Sequence, residues 1–453
     1  MKKADLQAFA NNERDRFERA LKQFVEVPTV SSDPERQRDI RRCAELAAQT
    51  IRDFGGEPRV IETGGNPIIH GKFDDHVGAP RITVYNHLDV QPASRETEPW
   101  ETDPFTLTKE GDRYFGRGAT DDKGPALTAL WGIKAAREAG VPVNMRVLWE
   151  LEEEIGSPNF ESAMKQHAND LATDSVVVSD TIWVARDRPA CPAGLRGLIG
   201  FELALETAET DQHSGVTGGA ARNPISELMK LVSEMYDGAT GKVKIKGFYD
   251  DVETPTKKEV TEFAGSGFSV KKFKKDHQFK SIRTEDAVDV MKRIWAMPTM
   301  EVHGVVGGYN GPGIKTIIPP RATVKLSCRL VPKQDPKKLL KLIRNFVKDH
   351  APDVRMTEES VMQPYKAPVT GPLADAVKSA MKFAFGKEPV FVREGGSIGA
   401  VISMERYLKC PVMFLGLSLP EHGYHAPNEN YDWQQASGGM VAFAKYFEEV
   451  AAM

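Results

Sequence analysis

Residues 81–89 read RITVYNHLD, a short apolar run that ends in a histidine and an aspartate. Two later runs have the same form: MRVLWELEEE at 145–154 ends in glutamates, and SVVVSD at 175–180 ends in an aspartate. The spacing of apolar residues at 124–138 predicts a helix between the first two runs. Apolar runs that alternate with helices are typical of a largely parallel sheet in an α/β fold.

The flanking sequence extends this unit at both ends. Apolar residues at helical spacing predict helices over 5–26 and 36–54, before the first strand. A helical pattern returns from Pro372 and stops at Gly386, and buried-strand patterns follow at 390–392 and 412–415. We therefore expect the end of the chain to re-enter the first domain.

The middle of the chain has a different pattern. Residues 198–206 and 322–330 alternate apolar and polar side chains, as half-exposed antiparallel strands do. Helices are predicted over 224–236 and after Asp335, which is placed to cap the second one ahead of Pro336. The sequence thus predicts an α/β domain of residues 1–194 and 368–453, flanked by helices, with an inserted α+β domain of residues 195–367.

Composition limits the possible functions. The 453 residues include 40% hydrophobic and 27% charged residues, with a formal charge of −4, so neither nucleic acid nor an anionic membrane is an expected partner. The four cysteines lie far apart, and no apolar run approaches a membrane span, which favours a cytoplasmic protein. The basic run at 271–275 is interpreted as a solvated face.

Polar side chains follow each of the three predicted buried strands. In an open parallel sheet the carboxyl ends of the strands converge on one crevice, where ligands usually bind. Two further segments carry similar chemistry, RGATDDKGP at 117–125 and HAPNE at 425–429. Imidazole and carboxylate donors without thiolate suit zinc, manganese or cobalt, and the set is large enough for two ions. Taken singly, each of these residues is more often a solvated charge, a cap or a structural histidine.

The sequence resembles the di-metal aminoacylase/carboxypeptidase metallopeptidases, and within them the carnosine and cytosolic non-specific dipeptidase branch. Besides the segments above, the resemblance rests on motifs spread in order over nearly the whole chain. These are VPTVSSDP (27–34), NHLDVQP (86–92), EEIGSPN (153–159), VSD (178–180), DQHSGVTGG (211–219), KTIIPPRA (315–322), SCRLVP (327–332) and REGGSIG (393–399).

The resemblance implies two divalent ions per subunit, with zinc as the expected metal and manganese or cobalt as alternatives. It assigns His87 and Asp180 to one ion, Glu154 and His425 to the other, and Asp121 to both. It also implies a cis peptide bond after Asp121.

Catalytic roles follow from the same resemblance. Asp89 orients the imidazole of His87, and Glu153 is the general base that takes a proton from a metal-bridging water. His213 stabilises the oxyanion and reaches the site from the other subunit of a homodimer, so that the inserted domain is a lid and dimerisation domain. Arg329 binds the carboxylate of the substrate.

The segment around Thr316 and the loop of Gly395, Gly396 and Ser397 are implied to supply further substrate-binding donors. Read from the residues alone, Arg329 is equally compatible with a surface ion pair, and the two glycines with an ordinary turn.

Two assignments depend on register. The acidic run Glu152, Glu153 and Glu154 allows a shift of one residue, and His422 lies close to His425. The predicted function is hydrolysis of dipeptides, or of short peptides with a free carboxylate. The alternatives are an amidohydrolase of N-acyl amino acids, a carboxypeptidase, or a catalytically silent dimeric binding protein of the same fold.

Overall fold

The computed structural model describes every residue from Met1 to Met453. Its strands are β1 Glu57–Ile61, β2 Ile68–Phe73, β3 Arg81–His87, β4 Thr108–Glu110, β5 Arg113–Phe115, β6 Asn144–Glu150, β7 Ser175–Val178, β8 Ala190–Leu195, β9 Gly197–Glu206, β10 Gln212–His213, β11 Tyr236–Asp237, β12 Lys242–Val243, β13 Thr299–Val306, β14 Ile317–Ile318, β15 Arg321–Leu330, β16 Arg355–Met362, β17 Tyr365–Lys366, β18 Val390–Glu394, β19 Val412–Phe414 and β20 Asn430–Asp432.

The helices fall before, between and after these strands. They are α1 Lys3–Val25, α2 Gln37–Asp53, α3 Lys123–Glu138, α4 Phe160–His167, α5 Ser214–Thr217, α6 Pro224–Met235, α7 Lys257–Ala264, α8 Val270–Asp276, α9 Ala287–Met291, α10 Pro336–His350, α11 Pro372–Phe385, α12 Gly399–Leu408 and α13 Trp433–Ala451. None of them combines the length and the apolar character needed to cross a membrane.

The largest sheet has the strand order β1-β2-β6-β3-β7-β19. Strands β6, β3, β7 and β19 run parallel, while β2 and β1 form an antiparallel edge. Alternate side chains enter different cores, so Val177 packs on one face while Val176 and Val178 pack on the other. Helices cover both faces, and the predicted largely parallel sheet of an α/β fold is confirmed.

The antiparallel sheet in the middle of the chain has the order β13-β15-β9-β16. Every second residue of β9 is buried, as its alternating sequence predicts. These residues share a core of 22 side chains, all between Ile199 and Val354, with helices α6 and α10. The side chain of Asp335 accepts a hydrogen bond from the Lys337 amide at 2.9 Å, so the predicted cap of α10 is confirmed.

A third sheet lies where the chain passes between the two predicted domains. Strand β8 pairs antiparallel with β17 and parallel with β18, so β18 joins this sheet and not the large one. Helix α7 packs on β18, and Phe263 and Trp295 belong to the largest core. Part of the predicted inserted domain therefore packs against the first domain, and the domain boundaries themselves stay a prediction.

The edge hairpin β1–β2 and the long helix α13 were not predicted. In α13 the glycines at 438 and 439 interrupt the apolar pattern that a helix prediction needs. A Cβ atom at Gly439 would lie 2.4 Å from Leu417 and 2.6 Å from Thr128. Close packing of α13 on its neighbours therefore requires glycine, although glycine weakens a helix in isolation.

Candidate active site

The carboxyl ends of the parallel strands carry the polar residues that the sequence singled out. His87 is the last residue of β3, Glu153 and Glu154 lie in a short helical turn after β6, and Asp180 follows β7 by two residues. His87 is fully buried. Three strand ends thus converge on one crevice, as the topology of a parallel sheet predicts.

Asp121 lies between the two imidazoles of this crevice. Its Oδ1 atom is 2.9 Å from Nε2 of His87, and its Oδ2 atom is 3.0 Å from Nε2 of His425. The same His425 nitrogen lies 3.1 Å from Oε2 of Glu154, and Asp180 Oδ2 lies 3.9 Å from His87 Nε2. The structure therefore brings together all five predicted metal-binding side chains.

The donor set fits divalent cations. Ligand atoms of His87, Asp121 and Glu154 lie within 4.8 Å of one another, and so do those of His87, Glu153 and Asp180. Asp121 presents one oxygen to each imidazole, which is the arrangement a bridging carboxylate requires. Nitrogen and oxygen donors without sulfur suit zinc, manganese or cobalt. Which side chain binds which ion stays a prediction.

The loop that carries Asp121 is held by Glu429. One oxygen of this buried carboxylate accepts hydrogen bonds from the amides of Thr120 and Asp121 at 2.9 and 3.0 Å. The other accepts from the Gly118 amide at 3.1 Å and pairs with Arg117 at 2.8 Å. The Asp121–Asp122 peptide bond is cis, as predicted.

Asp89 connects His87 to the acidic turn. Its carboxylate accepts the backbone amides of Glu153 and Glu154 at 3.1 and 3.0 Å, and its Oδ1 atom lies 3.4 Å from Nδ1 of His87. Nδ1 of His87 also lies 3.0 Å from the Asp89 carbonyl oxygen. Asp89 thus positions the imidazole through its carbonyl oxygen and the two glutamates through its carboxylate.

Three consecutive glutamates have different surroundings. The carboxylate of Glu152 accepts hydrogen bonds from the Asn66 amide at 2.8 Å and from the Asn159 side chain at 3.0 Å, away from the crevice. Glu154 faces His425 and accepts from the Gln91 side chain at 2.7 Å. Glu152 is thus bonded outside the cluster, while the roles of Glu153 as base and Glu154 as ligand stay predictions.

The two nearby histidines also differ. His422 is buried, and its Nδ1 accepts the Leu419 amide at 3.1 Å while its Nε2 lies 3.0 Å from Asp432. Both of its nitrogens are therefore occupied. His425 projects into the crevice with its side chain 55% exposed, and only this residue of the two faces Asp121.

Proton affinities in the crevice are strongly displaced. Burial, reinforced by Asp180 and Glu154, raises the pKa of Glu153 well above its usual range despite the nearby imidazole of His87. Burial likewise raises the pKa of Asp180 to about 7, with Asp121 and Glu154 adding to the effect. Carboxyl groups with displaced pKa values in one cleft are typical of catalytic sites.

The predicted substrate-binding residues fall into two groups. Arg329 donates a hydrogen bond to Ser397 at 2.9 Å, and the loop of Gly395, Gly396 and Ser397 continues into α12. A Cβ atom at Gly399, in that helix, would lie 3.1 Å from the Gly156 carbonyl oxygen, so the loop adjoins the acidic turn.

His213 and Thr316 form the second group. His213 belongs to the two-stranded ribbon β10–β14, and the Ser214 amide donates to the Thr316 carbonyl oxygen at 3.0 Å. The exposed His213 side chain accepts only its neighbouring Gly215 amide, at 3.0 Å. No hydrogen bond or ion pair joins these two residues to the metal-ligand cluster within one chain.

Sequence reasoning missed two side chains of the crevice. Tyr424 donates to Asp180 at 3.2 Å, and Glu394 is a carboxyl group whose Oε2 atom is buried without a hydrogen-bond partner. Burial raises the pKa of Glu394 well above its usual range, and the charges of Asp180 and Asp121 raise it further. Both residues are next to predicted ones in sequence, which is the signal that could have found them.

Glu394 and Tyr424 also line a cavity of about 490 Å³ beside the cluster. Its walls include the aromatic rings of Trp183, Phe268 and Trp295. A pocket with apolar walls and a few polar groups is the usual form of a small-molecule site.

Known proteins share this architecture over nearly its full length. Residues 83–449 match peptidase family M20/M25/M40. The chain is 30% identical to the Cys-Gly metallodipeptidase dug1 of Schizosaccharomyces pombe, covering 98% of this chain and 97% of that protein. It is 28% identical to the Beta-Ala-His dipeptidase of Rattus norvegicus, covering 97% and 94%.

Solved structures of peptidases have the same fold over nearly the whole chain. The di-peptidase Dug1p from Saccharomyces cerevisiae superposes with a TM-score of 0.87 at 28% identity, covering 100% of this chain and 99% of that one. The M20 family metallo-carboxypeptidase Sso-CP2 from Sulfolobus solfataricus gives 0.89 at 29% identity, covering 96% and 99%.

Proposed function

The chain belongs to peptidase family M20/M25/M40 and is a metallopeptidase, and from that premise we propose that it hydrolyses the peptide bond of dipeptides. The observation that carries the proposal is Asp121, with one carboxylate oxygen at each imidazole and Glu153 beside it on the crevice. Similarity to two dipeptidases over more than nine-tenths of each chain supports the substrate class.

Two divalent ions, zinc in our proposal, would be held by the five side chains of the cluster, His87, Asp121, Glu154, Asp180 and His425. When bound, such ions polarise the scissile carbonyl and lower the pKa of the attacking water. Asp89 holds His87 and the acidic turn in place through the hydrogen bonds described above.

Glu153 moves the proton in this proposal. Its carboxylate accepts a proton from the attacking water as the new C–O bond forms, and it donates that proton to the leaving amine as the C–N bond breaks. Glu153 lies with His87 and Asp180 in the crevice, so its carboxylate is beside the cluster that would hold the ions.

Two ionisable side chains, one acidic and one basic, support a short substrate with free termini. Glu394 has an unpartnered carboxylate oxygen near Asp180, suited to the ammonium group of a dipeptide. Arg329, beside Ser397, suits the carboxylate. An N-acyl amino acid offers no ammonium group, so Glu394 favours a dipeptide over that alternative.

His213 is proposed to complete the oxyanion site from the second subunit of a homodimer. Its exposure on the β10–β14 ribbon, and its lack of contact with the cluster of its own chain, support this arrangement. Thr316 is hydrogen-bonded to Ser214, the residue after His213. The segment of Thr316 would therefore enter the partner's active site together with His213.

A second candidate is trimming of longer peptides from the carboxyl end. The similarity to the metallo-carboxypeptidase from Sulfolobus solfataricus favours it, because that enzyme has the same fold at a comparable identity.

A substrate panel separates these activities. The metal-loaded protein is assayed with Ala-Gly, Ala-Ala-Gly and N-acetyl-glycine derivatives of equal concentration. A dipeptidase cleaves the first at least tenfold faster than the others. Preference for the tripeptide would establish the carboxypeptidase activity instead, and no hydrolysis with zinc, manganese or cobalt would contradict both.

A further inference from the structure

Arg196 is held against the glycine loop by its own backbone and side chain. This residue lies between β8 and β9, and its amide donates to the Gly396 carbonyl oxygen at 3.0 Å. Its Nε atom donates to the Gly395 carbonyl oxygen at 3.1 Å, and its carbonyl oxygen accepts from the hydroxyl of Ser397. Two backbone contacts and one guanidinium contact therefore hold Arg196 beside this loop.

The far end of that guanidinium has an unused donor. Nη1 of Arg196 is buried and has no hydrogen-bond partner. A buried N–H group without an acceptor is costly, and native proteins usually satisfy such groups with protein, water or ligand. The position next to a predicted substrate-binding loop makes a ligand the natural acceptor.

A second guanidinium approaches the same loop. Arg329 donates to Ser397 at 2.9 Å, so both arginines contact one serine, through its hydroxyl. Burial and the charge of Arg329 together lower the pKa of Arg196 to about 10, with only partial compensation from Glu301. Burial also lowers the pKa of Arg329, and no neighbouring carboxylate offsets this effect.

Two half-buried cations side by side repel each other unless an anion lies between them. Elsewhere in this chain a buried arginine has a carboxylate partner, as Arg117 has Glu429 at 2.8 Å and Arg146 has Asp74 at 2.8 Å. Arg196 and Arg329 lack such a partner among the ion pairs of the structure. The arrangement is that of a binding site for an anion supplied from outside the chain.

We propose that Arg196 is a second residue that binds the free C-terminal carboxylate of the substrate, acting with Arg329 and held in position by the Gly395–Ser397 loop. This inference rests on the proposed function, and it adds a specificity-determining residue to it. Two guanidiniums on one carboxylate favour substrates that end in a free acid and reject those that end in an amide.

The test compares Ala-Gly with its C-terminal amide. The wild-type enzyme is expected to show a much higher kcat/KM for the acid. Arg196→Gln should reduce kcat/KM for the acid by about 10- to 100-fold, the usual effect of losing a hydrogen bond to a charged group, and leave the amide within about threefold. Arg196→Lys should give a kcat/KM for the acid between those of the wild type and Arg196→Gln. Lysine keeps the positive charge but lacks the two parallel donors of a guanidinium.

Arg188→Gln is the matched control. The Nε atom of Arg188 donates to the Gly265 carbonyl oxygen at 3.0 Å. The control substitution therefore also removes a half-buried arginine that is bonded to a glycine carbonyl. It should leave the ratio of acid to amide unchanged. Thermal unfolding and metal content are measured for every variant, and Arg196→Lys carries the test if Arg196→Gln does not fold.

The outcomes separate this inference from the proposed function. Equal losses for acid and amide in the Arg196 variants would reduce Arg196 to a purely structural role and overturn the inference, while dipeptide hydrolysis by the wild type still stands. A wild-type enzyme that hydrolyses no dipeptide would overturn the proposed function and the inference together.

Discussion

Identical side chains in the acidic run at 152–154 have different chemical environments. Glu152 bonds to Asn66 and Asn159, Glu153 faces Asp180, and Glu154 faces His425. The difference arises because Asp89 binds the amides of Glu153 and Glu154 and so fixes the turn. At the scale of the residue, function depends on which way a turn presents its side chains.

Alanine substitution at each of these three positions should give a different result. Glu153→Ala should abolish turnover while about two ions per subunit remain bound, because a general base is not a metal ligand. Glu154→Ala should lose metal. Glu152→Ala should keep both ions but unfold at a lower temperature, since it strands the buried donors of Asn66 and Asn159. Elemental analysis and thermal unfolding measure these effects.

Metal loss from the Glu153 variant together with retention in the Glu154 variant would show that the roles of these two residues are exchanged.

His422 and His425 give a second comparison at this scale. We expect His422→Ala to lower the free energy of unfolding by about 2–4 kcal/mol, because both ring nitrogens bond inside the fold, to Leu419 and Asp432. His425→Ala should instead lose metal and activity and leave the stability of the metal-free protein nearly unchanged. Denaturant titration of chelated protein, with metal analysis of untreated protein, distinguishes the two.

At the scale of the element, the site depends on a brace between the loop at 117–121 and the segment before β20. Glu429 accepts three backbone amides of the loop and pairs with Arg117, and all of these groups are buried. The brace fixes the backbone of the loop up to and including the amide of Asp121. Two segments more than 300 residues apart in sequence therefore set the position of one ligand.

Removal of the arginine from this brace should be costly. Arg117→Ala leaves the carboxylate of Glu429 buried without its cation, which destabilises proteins by about 3–5 kcal/mol. Arg41→Ala is the control, because its ion pair with Glu62 is exposed and should contribute no more than about 1 kcal/mol. Equal changes in urea midpoint for the two variants would contradict the proposed brace.

At the scale of the whole molecule, His213 is the proposed site residue that lies apart from the ligand cluster. Its side chain is exposed and makes no hydrogen bond or ion pair with the ligand cluster of its own chain, so a role at the oxyanion would be exerted in the site of a second subunit. Each subunit would then supply a group to its partner. Such an exchange makes two inactive variants complementary.

Mixing His213→Ala and Glu153→Ala homodimers under conditions of subunit exchange tests this idea. In the heterodimer one site has its own Glu153 and borrows His213, so random pairing should restore about a quarter of wild-type activity. If exchange is demonstrated, for instance with differently tagged subunits, and activity does not return, His213 acts within its own chain or not in catalysis at all.

The local pattern of apolar residues in the sequence was sufficient to predict the helix and strands near the site. The apolar runs at 81–85 and 175–178 and the helical spacing at 124–138 match β3, β7 and α3 closely. This is possible because the periodicity of buried side chains is a local property of the chain. The same reasoning placed His87 and Asp180 at strand ends, and parallel topology then required them to converge.

Tertiary structure alone decided the environment of individual side chains and the sheet to which β18 belongs. It separated Glu152 from Glu153 and His422 from His425, and it placed β18 in the third sheet. It also brought Glu394 close to Asp180, and Arg196 against the loop of Gly395–Ser397. In three of these cases the deciding partner is distant in sequence: Asn66 for Glu152, β8 for β18, and Gly395 for Arg196. A hydrogen bond or burial site made by a distant segment has no local periodicity, so only the folded chain reveals it.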